Sequence, residues 1–359
     1  MIKNNIIDLQ AQYDKLAKSK RGGCIVLKAK VYPINQPLRI HSNKVKIIGQ
    51  GKDLTILYAP TTNAIEIENN AYLNLEALSV VTKSFEAMCG TGIYVPPDTT
   101  ADIRLHQCAF RTTLGALTYR NHPKPIGLGN IEITYCDFMQ SCINPRIANY
   151  PTNYHKVLLW GKQEANKRFN VSFNYFAKHP KQRNNVIELA IWGDSSYGKG
   201  KGPMTLINGH VMANTFNGAT RECLSISDHQ KFIVKDNIIN DSNRVGLYVI
   251  RGYRSIISNN IVHNSRYRGH RIAHLEDCIW VGNACYNTGI EDNANVKVGG
   301  MHVTYSFNNV VANNVILSSQ GHAIAINNGS QGNKLYNNMI LGKQQSIFVD
   351  KDTNDNQIV

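Results

Sequence analysis

The stretch LYVIRGYRSIISNN, Leu247 to Asn260, alternates apolar and polar residues, gathers Arg251, Tyr253 and Arg254 into one cluster, and ends on a doubled asparagine. Alternation with a period of two over so short a segment describes a strand, not a helix. The asparagine recurs after comparable segments. FNYF, ANTF, DNII, NNIV, GNAC, NNVI and NNMI carry Asn174, Asn214, Asn237, Asn260, Asn283, Asn314 and Asn338. Successive spacings are 40, 23, 23, 23, 31 and 24, so a unit of about 23 residues recurs with two enlarged turns. Upstream, QCAF and YCDF place Cys108 and Cys136 in the same slot. Short strands at this period cannot bury a face singly and must stack on one another, which makes a parallel β-helix the expected architecture. An asparagine repeated at one corner then forms an internal ladder, its amide bonding along the axis and satisfying buried polar groups.

The ladder gives every coil a common origin. Eleven residues on stand Ser225, Tyr248 and Arg271, joined by His302 once the eight extra residues of an enlarged turn are removed. Fourteen on stand Asp228, Arg251, His274 and Tyr305. The positions beside the first file, Leu224/Ile226, Leu247/Val249, His270/Ile272 and Met301/Val303, read mainly as core, so the file itself points outward. Coils stack about 4.8 Å apart, and one surface then presents guanidinium, imidazole and phenol groups in two parallel lines. That surface suits a long anionic ligand lying along the axis, with arginines on carboxylates and rings on sugar faces. The competing reading is a solvated face, because exposed strands are commonly rich in Arg, Lys and Tyr.

Charge favours the ligand. The chain of 359 residues has a net charge of +14, and residues 155–275 hold 18 Lys+Arg against 7 Asp+Glu, whereas residues 276–359 hold 4 against 7. A polyanion is the natural partner. Nucleic acid is not expected, since the aromatics lie on rigid strands and no recognised binding motif is present. No run approaches the roughly 20 apolar residues of a membrane span, so no membrane partner is expected. The start, MIKNNIIDLQAQYDKL, lacks the apolar stretch of a secretion signal. A substrate of this kind nevertheless implies a secreted, cell-surface or periplasmic location; the oligomeric state is left open. Eight cysteines without a CxxC read mostly as small buried hydrophobes rather than a disulfide framework or zinc site.

Length alone would allow two domains, but the repeat predicts a single domain over 1–359. Residues 6–20 carry helical apolar spacing at Ile6, Leu9, Tyr13 and Leu16 before Gly22-Gly23, so residues 1–22 are expected to cap the first coil and cover its open edge. At the other end Asn333 and Asn356 lie 23 apart and the next rung would fall at 361, beyond Val359. That leaves either an uncapped last coil or a chain cut from a longer one, the second being the expectation.

The segment GGCIVLKAKVYPINQPLRIHSNKVKIIGQGKDLTILYA resembles the opening of pectate-lyase-type β-helix proteins, and this likeness covers roughly the first sixty residues. A more specific likeness lies in NTFNGATRECLSISDHQ, DNIINDSNRVGLYVIRG and NNIVHNSRYRGHRIAH. These resemble the core of the chondroitinase B and alginate lyase family, polysaccharide lyase family six, over about 65 residues. Glu222 matches the family's second acidic residue, Arg251 with Gly252 the arginine of its R-H-G, with a one-residue gap, and Gly269 with Arg271-Ile272 its G-x-R-I. The resemblance implies an all-β, right-handed parallel β-helix solenoid with an N-terminal capping helix, and a lyase activity. It also shows departures. The family's usual base is a lysine of I-S-x-K, where this chain has Ser227 or Asp228, and the nearest lysine is Lys231. The family can hold calcium between paired acids, but Arg221 stands beside Glu222, so neither a metal nor another cofactor is expected.

The leading reading is therefore β-elimination on a uronic-acid polysaccharide. The reaction needs the C5 carboxylate neutralised, a base for the C5 proton and a proton donor for the 4-oxygen. Arg251 and Arg271 are the expected electrostatic stabilisers. The base and acid are expected among His229, Tyr248, His274 and Lys231. Arg254, Arg268, His302, Tyr305 and Glu222, with Lys231, are the expected substrate-binding groups. A C5 epimerase would use the same constellation. A glycoside hydrolase or tailspike-like depolymerase would need two carboxyl groups about 5 to 9.5 Å apart, with Glu188, Asp194, Glu222, Asp228 and Asp241 as candidates. Non-catalytic glycan binding is the third reading.

Overall fold

Each repeat folds into one coil that contributes a strand to each of three parallel sheets. The computed structural model describes residues 8–68, 70–83, 90–96, 99–120, 127–140, 154–163, 167–178, 186–193, 205–290, 298–318, 321–341 and 346–359. Ile6, Cys89, Cys142 and Asp194 lie outside them. The first sheet has 13 strands, from Gly23–Val26 to Gln357–Ile358; the second has 12, from Val31–Pro33 to Met339–Ile340; the third has 13, from Leu38–Ile40 to Ile347–Val349. Order within each sheet follows the chain, as a solenoid requires. The expected all-β parallel β-helix with an N-terminal helix is the fold the chain adopts.

The helix is Leu9–Lys18, capped by Asp8, whose carboxylate accepts the Ala11 N–H at 2.9 Å. Its apolar face buries Leu9 and Tyr13 against the first coil. The Tyr13 hydroxyl accepts the backbone N–H groups of His41 and Ser42, which ties the helix to that coil by more than apolar contact. Inside the solenoid, stacked positions hold like residues. Phe110, Phe138, Phe176 and Phe216 form a continuous pile with ring centroids 5.3, 4.7 and 4.7 Å apart, each pair worth about 0.5–1.5 kcal/mol beyond its buried area.

The asparagine ladder is present in every predicted rung. From Asn174 to Asn338 each Nδ2 donates to the next Oδ1 at 2.8–3.1 Å, and the same oxygen also accepts the preceding rung's backbone N–H. Cys136 occupies the slot before Asn174 and donates its backbone N–H to that side chain. The doubled asparagine is explained by two separate demands. The residue before each rung turns the corner in the left-handed region, as Asp236, Asn259 and Asn313 do with φ of 57°, 56° and 55°. Asparagine tolerates that conformation because its short side chain bonds locally. Asn333 and Asn356 belong to a second ladder, headed by Asn309 at the corner between the third and first sheets. Asn333 and Asn356 therefore stand at a different corner from Asn338, and their 23-residue spacing is that of the second ladder.

Among the described cysteines Cys108, Cys136, Cys223, Cys278 and Cys285 are buried and unbridged, as small apolar fillers, while Cys24 is exposed.

Candidate active site

The site is built on the outer face of the third sheet by the strands Leu224–Gln230, Val245–Tyr253, Arg268–Glu276 and Val298–Thr304. Their register pairs Ser225 with Tyr248, Tyr248 with Arg271 and Arg271 with His302, so the first file is real and the eight-residue correction holds. The flanking Leu224, Ile226, Leu247, Val249, His270, Ile272, Met301 and Val303 are all buried. Ser225 and His302 are also nearly covered, which leaves Tyr248 and Arg271 as the open part of the file.

Beside it runs Ser227, Ile250, Ala273 and Thr304, a low floor. The second file then follows at once. Asp228, Arg251, His274 and Tyr305 each adopt the left-handed conformation, with φ of 57°, 50°, 54° and 49°. This break in the pleat puts two consecutive residues on the outer face and returns the next one to the core. It explains why Arg251 is followed by glycine: a Cβ at Gly252 would sit 2.3 Å from Cε1 of the His229 ring.

His229 is accordingly the expectation that the structure corrects. The break at Asp228 turns it inward, where it is fully buried against Phe232 with Nδ1 bonded to the Ser255 hydroxyl at 2.9 Å. Burial pushes its pKa down to about 3, and it cannot reach a ligand on the outer face.

The remaining groups converge. Arg251 donates to the Asp228 carboxylate at 2.7 Å, with both side chains largely covered. Arg271 lies over the Tyr248 ring, its guanidinium carbon 5.0 Å from the centroid. His274 stacks on Tyr305 with centroids 4.7 Å apart and planes within 8°. The His274 pKa is held below the ordinary histidine value, first by desolvation and then by the charges of Arg251 and Arg271. Its imidazole is therefore neutral at neutral pH and flanked by two guanidinium groups. His302 closes the far end, its Nε2 3.0 Å from Asn327 Oδ1.

Other expected binders sit outside this groove. Lys231 and Arg254 occupy the corner beyond the second file, and Arg254 lies over Tyr253 and reaches Asp277 at 3.8 Å. Arg268 pairs in register with Val245 and stands on the outer side of the Tyr248 file. Glu222 is buried between Arg221 Nε at 2.7 Å and Arg244 Nη1 at 3.7 Å; burial raises its pKa against the pull of both arginines. A carboxylate already facing two guanidinium groups does not suit a calcium ion. Among the described residues no cluster of three or more His, Cys, Asp or Glu side chains could hold a metal.

The carboxyl groups that a hydrolase would need are committed elsewhere. Glu188 is fully buried in an ion pair with Lys156, Asp228 is paired with Arg251, and Asp241 takes the Asn264 amide on an exposed corner. Asp194 is outside the described residues.

Two functional candidates escaped the sequence reading. Trp160 and Trp192 occupy the floor row on the two coils before Ser227. Their signal was visible as the paired segments LLWG and AIWG, which end strands on successive coils.

Comparison with known proteins bears on the fold. Residues 204–359 match a family model described as a right handed beta helix region. No curated protein sequence matches the chain. A mannuronic acid specific polysaccharide family 6 lyase from human gut microbiota superposes with a TM-score of 0.60 at 12% identity, over 96% of this chain and 82% of that one. The A-module of the Azotobacter vinelandii mannuronan C-5 epimerase AlgE4 gives 0.56 at 14% identity, over 96% and 93%. The periplasmic alginate epimerase AlgG gives 0.57 at 12%, over 98% and 88%. The chain is thus a right-handed parallel β-helix whose fold resembles that of polysaccharide lyase family six and of the alginate epimerases.

Proposed function

We propose that this chain is a polysaccharide-modifying enzyme that removes the C5 proton from a uronate residue of an acidic polysaccharide, with β-elimination as the outcome. The observation that carries the reading is His274 close enough to Arg251 and Arg271 for their charges to hold its pKa below the ordinary histidine value, on the face where Arg271 lies over Tyr248. A uronate carboxylate placed against the two guanidinium groups loses its charge, which acidifies the C5 proton and stabilises the enolate-like intermediate. Asp228 positions Arg251 for that contact. His274 Nε2 or Nδ1 takes the C5 proton, the C4–O bond breaks as a C4–C5 double bond forms, and the Tyr248 hydroxyl protonates the departing oxygen. The structural neighbours act on alginate and mannuronan by their printed names, which supports a uronate polymer as substrate. One of them is periplasmic, in keeping with action outside the cytoplasm.

Epimerisation at C5 is the second reading, and one feature favours it. Tyr248 and His274 belong to different files on opposite sides of the floor, so a sugar between them meets a proton-transfer group on each face. Both outcomes share the first step.

The test is incubation with alginate, polygalacturonate, hyaluronan and chondroitin or dermatan sulfate. Elimination gives the ultraviolet absorbance of an unsaturated uronate; hydrolysis gives new reducing ends without it; binding with neither describes a lectin. Arg271→Ala is expected to reduce kcat/KM by about 10²–10³-fold, as for loss of one oxyanion donor. Full activity in both Arg251→Ala and Arg271→Ala would sink the placement of the site.

A further inference from the structure

We infer that Trp160 and Trp192 form an aromatic sugar-binding platform at one end of the groove, holding a residue of the polysaccharide remote from the one that reacts. The inference rests on the uronate reading above and adds a subsite to it. Trp160, Trp192, Ser227, Ile250 and Ala273 follow one another in register, so the two indoles lie in line with the floor between the cationic files. Both side chains are partly exposed. Trp192 is fixed in place: its Nε1 donates to the Ser225 hydroxyl at 3.0 Å, and the His155 ring meets it edge-on with centroids 4.8 Å apart. Trp160 meets Trp192 at 5.8 Å and 78°. Leu158, Ile187 and Ala190, with Leu158 and Ala190 in register with Ser225 of the adjacent file, make a small apolar cluster separate from the solenoid core, and both indoles pack against it. A rigid apolar face of this kind, continuous with a cationic groove, matches the alternation in a uronate polymer of apolar ring faces and carboxylates.

The geometry sets a length. Trp192 lies three coils before Ala273, roughly 14 Å at about 4.8 Å per coil. An extended pyranose chain advances by close to one coil spacing per residue, so a sugar on Trp192 is about three residues from the one at His274. A disaccharide at the reacting centre cannot reach the indoles, whereas a tetrasaccharide or longer can.

Intrinsic fluorescence offers a direct readout, because the chain has 3 tryptophans and the third, Trp280, is buried in the core against His270. Mannuronate and galacturonate di- to hexasaccharides are titrated into the parent, Trp192→Ala and Trp192→Phe proteins, with folding checked by circular dichroism and activity by ultraviolet absorbance. The expected result is an emission change in the parent with hexasaccharide but not disaccharide. Hexasaccharide Kd should rise about tenfold in Trp192→Ala and be largely restored in Trp192→Phe, which keeps a stacking ring. Unchanged hexasaccharide affinity in folded, active Trp192→Ala would overturn the platform and leave the uronate reading standing. If Trp192→Ala does not fold, equal emission changes with di- and hexasaccharide in the parent overturn it instead. Absence of binding and of activity with every oligosaccharide would overturn both.

Discussion

At the scale of single residues, the proposed base, His274, is defined by its charge state. Its folded pKa lies below the ordinary histidine value because burial and the charges of Arg251 and Arg271 oppose protonation. The base is therefore available at and above neutral pH and is lost as pH falls through that depressed value. The acid limb of kcat/KM should lie below about 6.5, the unperturbed histidine value, and Arg251→Met should move it upward. A limb unmoved by that change would separate His274 from Arg251. Lys156 and Glu188 make a different residue-scale case. Both are fully buried inside the solenoid, and the Lys156 ammonium also donates to the Ala177 carbonyl. Lys156→Met should cost about 3–5 kcal/mol by leaving a buried carboxylate unpaired. Adding Glu188→Leu should recover most of it, measured by urea unfolding; equal losses in both proteins would show that the pair is not coupled. Neither partner was recognisable as internal from sequence, because the alternation that places apolar residues says nothing about a charge that neutralises its neighbour. His229 misled for a related reason. A strict alternation from Ser225 would turn it outward, but the left-handed Asp228 shifts the parity by one.

At the scale of the coil, the asparagine rung was the most legible feature, because its spacing is the repeat itself. Asn260 accepts two bonds at Oδ1, from the Asn237 side chain and backbone, and its amide supplies Asn283 and the Val234 carbonyl. Replacing it with alanine strands those partners in a dry interior. Asn260→Ala should cost several kcal/mol, at about 1–3 kcal/mol for each unsatisfied group, read as a lower unfolding midpoint with unchanged m. Asn264→Gly, in the exposed file of Asp241, Asn264 and Asn287, provides the contrast, glycine being chosen because Asn264 has a left-handed backbone with φ of 55°. Its effect should stay within about 0.5 kcal/mol. Comparable losses at the two positions would mean that burial does not set the strength of the ladder. The two cationic files were legible for the same reason as the rung: once each coil has an origin, side chains at equal offsets must stack. The tryptophans were missed because they sit on enlarged coils of 38 and 40 residues, where counting from the ladder loses register.

At the scale of the whole molecule, the solenoid turns a sequence repeat into a linear site. Stacked strands present the same outer positions about every 4.8 Å, so a groove for a polymer needs only the same class of side chain at one offset on several coils. Residues 155–275 carry the cationic excess, and this segment supplies both tryptophans and all of the floor and files except His302, Thr304 and Tyr305, which continue them on the next coil. The rest of the chain extends the solenoid and is nearly balanced, with 21 Lys+Arg against 18 Asp+Glu. Sequence resemblance found the right architecture and marked Arg251 and Arg271. The family's lysine has no counterpart in the groove, and the proposed mechanism gives its role as base to His274, whose pKa is held below the ordinary histidine value by desolvation and by those two arginines. The most direct test of that claim is exchange at C5. The parent protein and His274→Ala are incubated in heavy water with the uronate polymer that the parent modifies, and the C5 proton is followed by nuclear magnetic resonance. The account predicts C5 proton loss with the parent, as unsaturated ends or as deuterium retained at C5, and its suppression by about 10²–10⁴-fold in His274→Ala. Polymer modified by the parent with every C5 proton retained, or C5 proton loss at the parent rate in His274→Ala, would contradict it.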